Sequence, residues 1–256
     1  NHTTKEVIFT SKNINGVEMG GIRTRWYMGA HYNQTPGGWN GFSILGEFYD
    51  TFDSNDRRIK NDDSGIISAF GNPMGMQIGQ QYAPGGVTKL KVRAQAGGGD
   101  LIFDKNLPAN QIVAAEDLET AGVRPQKYIP DVSNLDKPEN DYVFFRYADA
   151  LLMKAEALAR GGSATAVAPV SASAIAAALD SRTGITTPTD LSSLAGILKA
   201  RGNELWAEGW RRNDMIRFGT YTTSRRTMTN TDGYRVLMPI PASALINPNI
   251  QQNPGY

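Results

Sequence analysis

Glycine and proline interrupt the first 140 residues so often that no long helix or strand fits there. Runs such as Pro36-Gly37-Gly38 and Pro84-Gly85-Gly86 favour turns. The apolar segments between these runs are short, and those at 88–94 and 101–103 are predicted strands. The glycine-rich tract at 71–99 is predicted to form loops and a hairpin. This part of the chain is therefore predicted to consist of long irregular loops with small β-hairpins.

After residue 140 the apolar spacing becomes that of amphipathic helices. The strongest predicted helix spans 142–160, where one face carries an apolar stripe and Gly161-Gly162 ends it. A second helix is predicted after Pro169, ending before Gly184. The stripe of the first helix consists of Tyr147, Leu151, Ala155 and Leu158.

A third long helix is predicted to begin at Thr189-Asp190, which is a favourable N-cap. Its predicted inner face carries Leu191, Leu194, Leu198 and Leu205. A short helix is predicted over 44–52 from apolar residues at helical spacing. Prolines at 239, 241, 248 and 254 exclude a long helix from the tail.

These patterns divide one predicted domain, residues 1–256, into three parts. Residues 1–140 form the loop-rich part with candidate ligand loops, 141–221 form a helical scaffold, and 222–256 form an extended C-terminal segment. The fold class is predicted to be mainly α, with paired antiparallel helices between long loops. Helices paired in this way resemble one unit of a helical repeat, which needs neighbouring helices to cover its faces.

Composition excludes several classes of protein. The 256 residues include 26 basic and 25 acidic side chains, a net charge of +1, which argues against a nucleic-acid partner. No apolar run is long enough to cross a membrane. The absence of cysteine excludes disulfides, cysteine metal sites and a cysteine nucleophile.

Catalytic and metal-binding patterns are weak. The only histidines are His2, at the start of the chain, and His31, in a predicted loop, and these two alone do not make a metal site or a catalytic triad. Aspartates at 50, 53 and 56 lack the spacing of a calcium loop and are interpreted as turn residues. We therefore predict no catalytic residue, no metal and no cofactor.

Charged residues of both signs surround Trp206 and Trp210. We predict that they form an ion-pair network and that both tryptophans serve packing, although a ligand pocket is the alternative. The charged residues are Glu204, Glu208, Arg211, Arg212, Asp214 and Arg217.

Aromatic residues are concentrated in one polar, glycine-rich loop near the start of the chain. Flat aromatic rings stack on the apolar faces of sugars, while guanidinium and amide groups bind hydroxyls. A ligand-binding surface and local packing of the loop both stay open at this point. The candidate ligand-binding residues are Trp26, Tyr27, Tyr32 and Trp39, with Arg25 and Asn33.

Four segments, in order, resemble motifs of the SusD/RagB family. Residues 140–157 contain R-Y-A-D-x-L-L-M-x-A-E-A, and residues 203–219 contain E-L-x-x-E-G-x-R-x-x-D-x-x-R-x-G. The tail contains P-I-P at 239–241 and ends with N-P-x-x-x-Q-N-P-G-Y at 247–256. Residues 47–58 are similar to the stretch before the family's central hairpin. The sequence is thus similar to the C-terminal half of such proteins.

This resemblance implies a fold and a function. The fold would be SusD-like, with tetratricopeptide-like helix pairs. The function would be capture of oligosaccharide or polysaccharide, without catalysis, for a SusC-like TonB-dependent transporter. The location would be the surface of the outer membrane of Bacteroidetes-like bacteria, through an N-terminal lipid anchor absent from this chain. Capture of peptides, and a structural module that docks a transporter, are the alternatives.

Overall fold

The computed structural model describes residues 3–14, 17, 22–93, 98–106, 119–131, 133–164, 166–224 and 232–256. Its helices are α1 (Thr24–Tyr27), α2 (Gly46–Tyr49), α3 (Ser64–Phe70), α4 (Tyr147–Ala159), α5 (Ala172–Asp180), α6 (Leu194–Glu204) and α7 (Arg211–Arg217). Its strands are β1 (Val7–Ser11), β2 (Lys60–Asn61), β3 (Met74–Gln77), β4 (Gly79–Gln80), β5 (Ile102–Phe103), β6 (Arg124–Gln126) and β7 (Tyr142–Arg146). The regular structure is more helical than extended, and most described residues belong to neither class, as the glycine and proline pattern predicts.

The strands form small antiparallel sheets. Strand β1 pairs with β7, β3 lies between β2 and β6, and β4 pairs with β5. The predicted strand at 101–103 is confirmed as β5. Of the predicted strand at 88–94, only isolated bridges form among the described residues, from Lys89 and Lys91. Because β1 pairs with β7, the start of the loop-rich part is attached to the helical part. The three-part division itself stays a prediction.

The predicted helix over 142–160 is wrong at its first five residues, which form strand β7. Tyr142, Val143 and Phe144 belong to the aromatic and β-branched types that favour strands, and β1 offers them a partner. Arg146 has an extended backbone, and the helix begins at Tyr147. Tyr147, predicted to face inward, is 48% exposed.

Helix α4 packs against both α5 and α6 around one apolar core. Helices α5 and α6 each begin after a serine, Ser171 and Ser193, whose hydroxyl accepts a backbone N–H of the first turn. Helix α6 therefore starts later than the predicted cap at Thr189-Asp190. The buried members of the core are Ala148, Leu151, Leu152, Ala155, Ile175, Ala176, Leu179, Leu191, Ile197 and Ala200.

The inner face of α6 also differs from the leucine pattern. Leu191 and Leu205 are buried, as predicted, but Leu194 is exposed. Ile197 and Ala200 contribute to the core instead. The late start at Ser193 accounts for this, because it leaves Leu194 in the first turn of the helix. Tetratricopeptide-like pairing of these helices stays a prediction.

A buried ion network connects the parts of the chain, and two of the six charged residues predicted for it, Glu204 and Glu208, belong to it. Asp214 and Arg217 instead pair with each other in a second group with Arg201 and Glu156, and Arg211 and Arg212 donate to main-chain oxygens. Arg146, at the end of β7, contacts Glu204 at 2.6 Å and Glu208 at 2.9 Å. Burial alone would raise the pKa of Glu204, but the neighbouring guanidinium groups of Arg146 and Arg182 outweigh it and hold that pKa below its ordinary value. Trp206 is buried beside the network, and the half-buried Trp210 lies 5.2 Å from the ring of Phe145. Further members of the network are Arg58, Lys127 and Arg182.

The described tail, 232–256, contains one 3-10 turn, Gly233–Val236, and is otherwise irregular, as its prolines predict. Gln252 brackets Ile240 by accepting its N–H at 2.7 Å and donating to its carbonyl at 3.0 Å. Tyr256 lies against Tyr234, with ring centroids 4.8 Å apart. Among the helices that the structure describes, none combines the length and apolar character needed to cross a bilayer.

Candidate functional site

The four candidate aromatic residues lie on one compact loop, residues 26–42, called the aromatic loop below. It leaves α1 and returns alongside it. Trp39 N–H donates to Tyr27 O at 2.6 Å, and Asn40 N–H donates to Ala30 O at 2.9 Å. These main-chain hydrogen bonds hold the two ends of the loop together.

Trp39, Tyr27, Arg23 and Asp136 form a small open surface, called the aromatic platform below. Trp39 is 53% exposed, and its ring centroid lies 5.7 Å from that of Tyr27. Asp136 accepts from Arg23 Nη1 at 3.0 Å and from the Tyr27 hydroxyl at 3.3 Å. Burial and the neighbouring Asp136 raise the pKa of Tyr27, so its hydroxyl stays protonated at neutral pH. The platform thus offers a flat ring beside hydrogen-bond donors and acceptors.

Tyr32 lies on a second outward-facing part of the loop. Its ring packs on His31, with centroids 5.0 Å apart, and the guanidinium of Arg93 lies 4.2 Å from its centroid. Asn33, also exposed, donates from Nδ2 to Lys91 O at 2.8 Å. Tyr32 and Asn33 are therefore accessible, as a role in ligand binding requires.

Two of the six candidate residues, Trp26 and Arg25, belong neither to the aromatic platform nor to the surface around Tyr32. Trp26 is 1% exposed, so its ring cannot stack on a ligand, and the expectation for Trp26 is wrong. The single turn of α1 directs Trp26 into the core and leaves Tyr27 half-buried. Arg25 is half-buried, and its guanidinium lies 4.5 Å from the ring centroid of Tyr128 and 5.1 Å from that of Tyr142.

Buried polar side chains support the aromatic loop from below. His31 is fully buried, and its Nε2 lies 2.8 Å from Oε1 of Glu119. Gln34 accepts the His31 N–H at 2.8 Å and donates to Gln77 at 2.7 Å and to Gln81 at 2.9 Å. Burial lowers the pKa of His31, although the contact with Glu119 acts in the opposite direction. The imidazole is therefore neutral at pH 7.

Sequence reasoning pointed to Arg23, beside Arg25, as a guanidinium group for sugar hydroxyls, but it missed Asp136, Arg93 and Glu119. Asp136 lies 109 positions from Tyr27, and Glu119 lies 88 positions from His31. No spacing rule relates such distant residues in a loop-rich chain. Phe42, which is 59% exposed, was recognisable by type, because it ends the same aromatic stretch.

Neither a metal-binding group nor the cavity described next lies at the aromatic loop, among the residues that the structure describes. No group of three or more histidines and carboxylates suited to a metal ion occurs in the part of the chain that the structure describes. Asp53 accepts from Thr186, and Asp56 pairs with Arg58. A cavity of about 670 Å³ lies between α6 and residues 50–58, away from the aromatic loop.

Comparison with known proteins identifies the chain. The SusD family matches residues 5–232. The chain belongs to the SusD family. This SusD-family chain is 32% identical to the starch-binding protein SusD of Bacteroides thetaiotaomicron over 148 residues, which cover 52% of this chain and 25% of that protein.

Solved SusD-like structures share the fold. A laminarin-binding SusD-like protein superposes with a TM-score of 0.64 and 26% identity, covering 100% of this chain and 51% of its own. Surface glycan-binding protein A from Bacteroides thetaiotaomicron, in complex with laminarihexaose, superposes with a TM-score of 0.56 and 19% identity. That match covers 97% of this chain and 52% of the other. The SusD-family chain thus spans about half the length of the solved relatives it matches.

Proposed function

We propose that this protein binds glycans at the cell surface through the aromatic loop. The observation that carries the proposal is Trp39, which is 53% exposed and is supported by Tyr27 at 5.7 Å. A tryptophan ring held in this way can stack on a sugar ring. Arg23 and Asp136 lie beside it and can bind hydroxyl groups.

The charges around the loop favour an uncharged glycan. Arg23 pairs with Asp136 at 3.0 Å, and Arg93 approaches Glu119 at 3.4 Å. The cations beside the Tyr27 and Tyr32 rings, Arg23 and Arg93, therefore each have an acidic neighbour, and an anionic sugar would compete with it. The names of two relatives, a starch-binding and a laminarin-binding protein, refer to neutral glucans.

The wider setting belongs to the same proposal. The protein would be a lipid-anchored component of the outer-membrane surface and would deliver its glycan to a SusC-like TonB-dependent transporter. It would not alter the glycan chemically. Membership of the SusD family supports this setting.

Calorimetric titration tests the proposal. The protein is titrated with soluble starch, laminarin, an anionic polygalacturonate and a mixed peptide pool. We expect binding to a neutral glucan, and we expect Trp39→Ala to weaken it at least about tenfold, the effect typical of a central aromatic contact. Tyr147→Ala, which removes a 48% exposed ring from α4, is the matched control and should bind normally.

Other outcomes would replace the proposal. Binding of peptides alone would favour the peptide-capture alternative. Glycan binding that survives Trp39→Ala would move the site away from the aromatic platform. No binding to any of these probes would contradict glycan capture by this chain.

A further inference from the structure

The exposed part of the aromatic loop is hydrogen-bonded at both ends to one residue, Glu119. Immediately before Tyr32, the His31 ring Nε2 lies 2.8 Å from the carboxylate of Glu119. Immediately after Trp39, the Asn40 side chain donates to the main-chain oxygen of Glu119 at 3.1 Å. Glu119 itself is 3% exposed. One buried residue therefore determines where the exposed segment begins and ends.

The contact with His31 has a defined direction. Asn33 N–H donates to His31 Nδ1 at 3.1 Å, so Nδ1 is an acceptor and the neutral ring carries its proton on Nε2. That proton is donated to Glu119. The imidazole is thus oriented from both sides, and Tyr32 packs directly on its face.

The same carboxylate also positions the second group that packs on Tyr32. Arg93 N–H donates to Glu119 Oε1 at 2.7 Å, and the Arg93 guanidinium lies 4.2 Å from the centre of the Tyr32 ring. Glu119 therefore holds His31 and Arg93, the two neighbours of that ring, in one arrangement.

We propose that Glu119 is a positioning residue for glycan binding, which holds the aromatic loop in its binding geometry before a ligand arrives. This inference rests on the proposed function. Glu119 touches no ligand, because it is buried, and it acts through His31, Arg93 and Asn40. A loop that is already ordered loses less conformational entropy on binding. A loop that adopts the binding geometry only part of the time has an affinity lowered by that fraction.

The test uses the full chain and three variants. Glu119→Ala removes the carboxylate, whereas Glu119→Gln keeps an oxygen that can accept from His31 and Arg93. Glu156→Ala is the matched control, because Glu156 is also buried and pairs with Arg160 and Arg217 in the helical part. Each protein is titrated with laminarin and soluble starch, and amide hydrogen exchange is followed at residues 33–40 without glycan.

We expect Glu119→Ala to weaken glucan binding roughly tenfold and to speed amide exchange at Asn33, Gly38 and Asn40. Glu119→Gln should keep most of the glucan affinity and most of the protection from amide exchange. Glu156→Ala should change neither the affinity nor the exchange rates. A merely structural role would affect the two alanine variants alike.

If the wild type binds a glucan and Glu119→Ala binds it equally well, this inference fails while the proposed function stands. If the wild type binds neither glucan, the proposed function fails, and this inference fails with it.

Discussion

Trp26 and Trp39 show how the backbone assigns different roles to two residues of one type. Trp26 lies within α1 and is 1% exposed, whereas Trp39 lies on the returning segment of the loop and is 53% exposed. Their sequence surroundings are similarly polar and rich in glycine. The turn of α1 places Trp26 on the buried side, and the hydrogen bond between Trp39 N–H and Tyr27 O holds Trp39 beside that helix with its ring exposed.

Substitution of the two tryptophans should separate stability from binding. Trp26→Ala should lower the free energy of unfolding by about 3–5 kcal/mol, the usual cost of removing a buried aromatic side chain. Trp39→Ala should lower it by about 1 kcal/mol or less, because the ring is largely solvated. Urea unfolding followed by circular dichroism measures both. Equal losses would contradict the assignment of Trp26 to the core.

His31 should make stability sensitive to mild acid. Its folded-state pKa lies below the unfolded value because burial disfavours the charged ring, and Glu119, Arg93 and Arg124 are the charged groups around it. Below about pH 6.5 the unfolded chain therefore gains a proton that the folded chain does not accept. The stabilising contribution of neutral His31 is complete above that pH and falls as the pH drops toward the folded-state pKa.

Melting temperatures measured over a series of pH values test whether stability falls as the pH drops. The wild type should melt at progressively lower temperature between pH 6.5 and 5, and His31→Gln should show a flatter profile in that window. Glu119, whose pKa is also lowered, should add a loss only below about pH 4.5. Parallel profiles for the two proteins would show that His31 does not titrate as described.

At the scale of elements, the junction of β7 and α4 shows where periodicity fails as a guide. The apolar spacing over 142–160 fits a helix throughout, yet the first five residues pair with β1. A local pattern of apolar residues contains no information about a partner strand more than 130 positions away in the sequence. In the core of α4, α5 and α6, the inward positions of Leu151 and Ala155 were predictable from helical spacing, whereas those of Ile197 and Ala200 were not, because the start of α6 was placed too early. The aromatic loop was predictable by composition, but its support by Glu119 was not.

Glycine conformation gives a prediction for the β2–β3 pair. Gly75 has a φ of +128°, and a Cβ added there would lie 2.2 Å from the main-chain oxygen of Ile59. Gly79 has a φ of +73° but no atom near such a Cβ. Gly79→Ala should cost about 1 kcal/mol from backbone strain alone. Gly75→Ala should cost about 3 kcal/mol, because strain and overpacking add.

Thermal or urea unfolding of the two variants provides the comparison. Both substitutions introduce the same side chain at a positive φ, but only Gly75→Ala adds the contact with Ile59, and its φ of +128° is also more strained for alanine than the +73° of Gly79. A Gly75→Ala variant no less stable than Gly79→Ala would contradict the close approach of β3 to the segment before β2.

At the scale of the whole molecule, Glu204 connects distant parts of the chain. Its carboxylate contacts Arg58 at 3.1 Å, Arg146 at 2.6 Å and Arg182 at 2.5 Å. These arginines come from the segment before β2, the end of β7 and the loop after α5. The network therefore attaches the loop-rich part to the helical part through charge as well as through the β1–β7 pair.

Loss of this one charge should be costly. Glu204→Gln should lower the free energy of unfolding by about 2–3 kcal/mol, because it removes one of the two buried carboxylates that each of the buried guanidinium groups of Arg58 and Arg146 contacts. Asp62→Asn, which breaks an exposed pair with Lys60, should change it by about 0.5 kcal/mol or less. Denaturant unfolding of both variants in the same buffer measures the two changes in the free energy of unfolding. Similar small losses would show that the network contributes little.

The support by Glu119 has a consequence for redesign. Between His31 and Asn40 the residues alternate, with Gln34 and Pro36 buried and five others exposed: Tyr32, Asn33, Thr35, Gly37 and Trp39. None of these five provides a hydrogen bond to Glu119. Under the proposed function, a combinatorial library at Tyr32, Asn33, Thr35 and Trp39 would vary the recognised sugar while retaining the contacts with Glu119, so that this short segment would serve as an interchangeable recognition cassette. Gly37 would be kept, because a Cβ there would lie 2.9 Å from the main-chain oxygen of Tyr32.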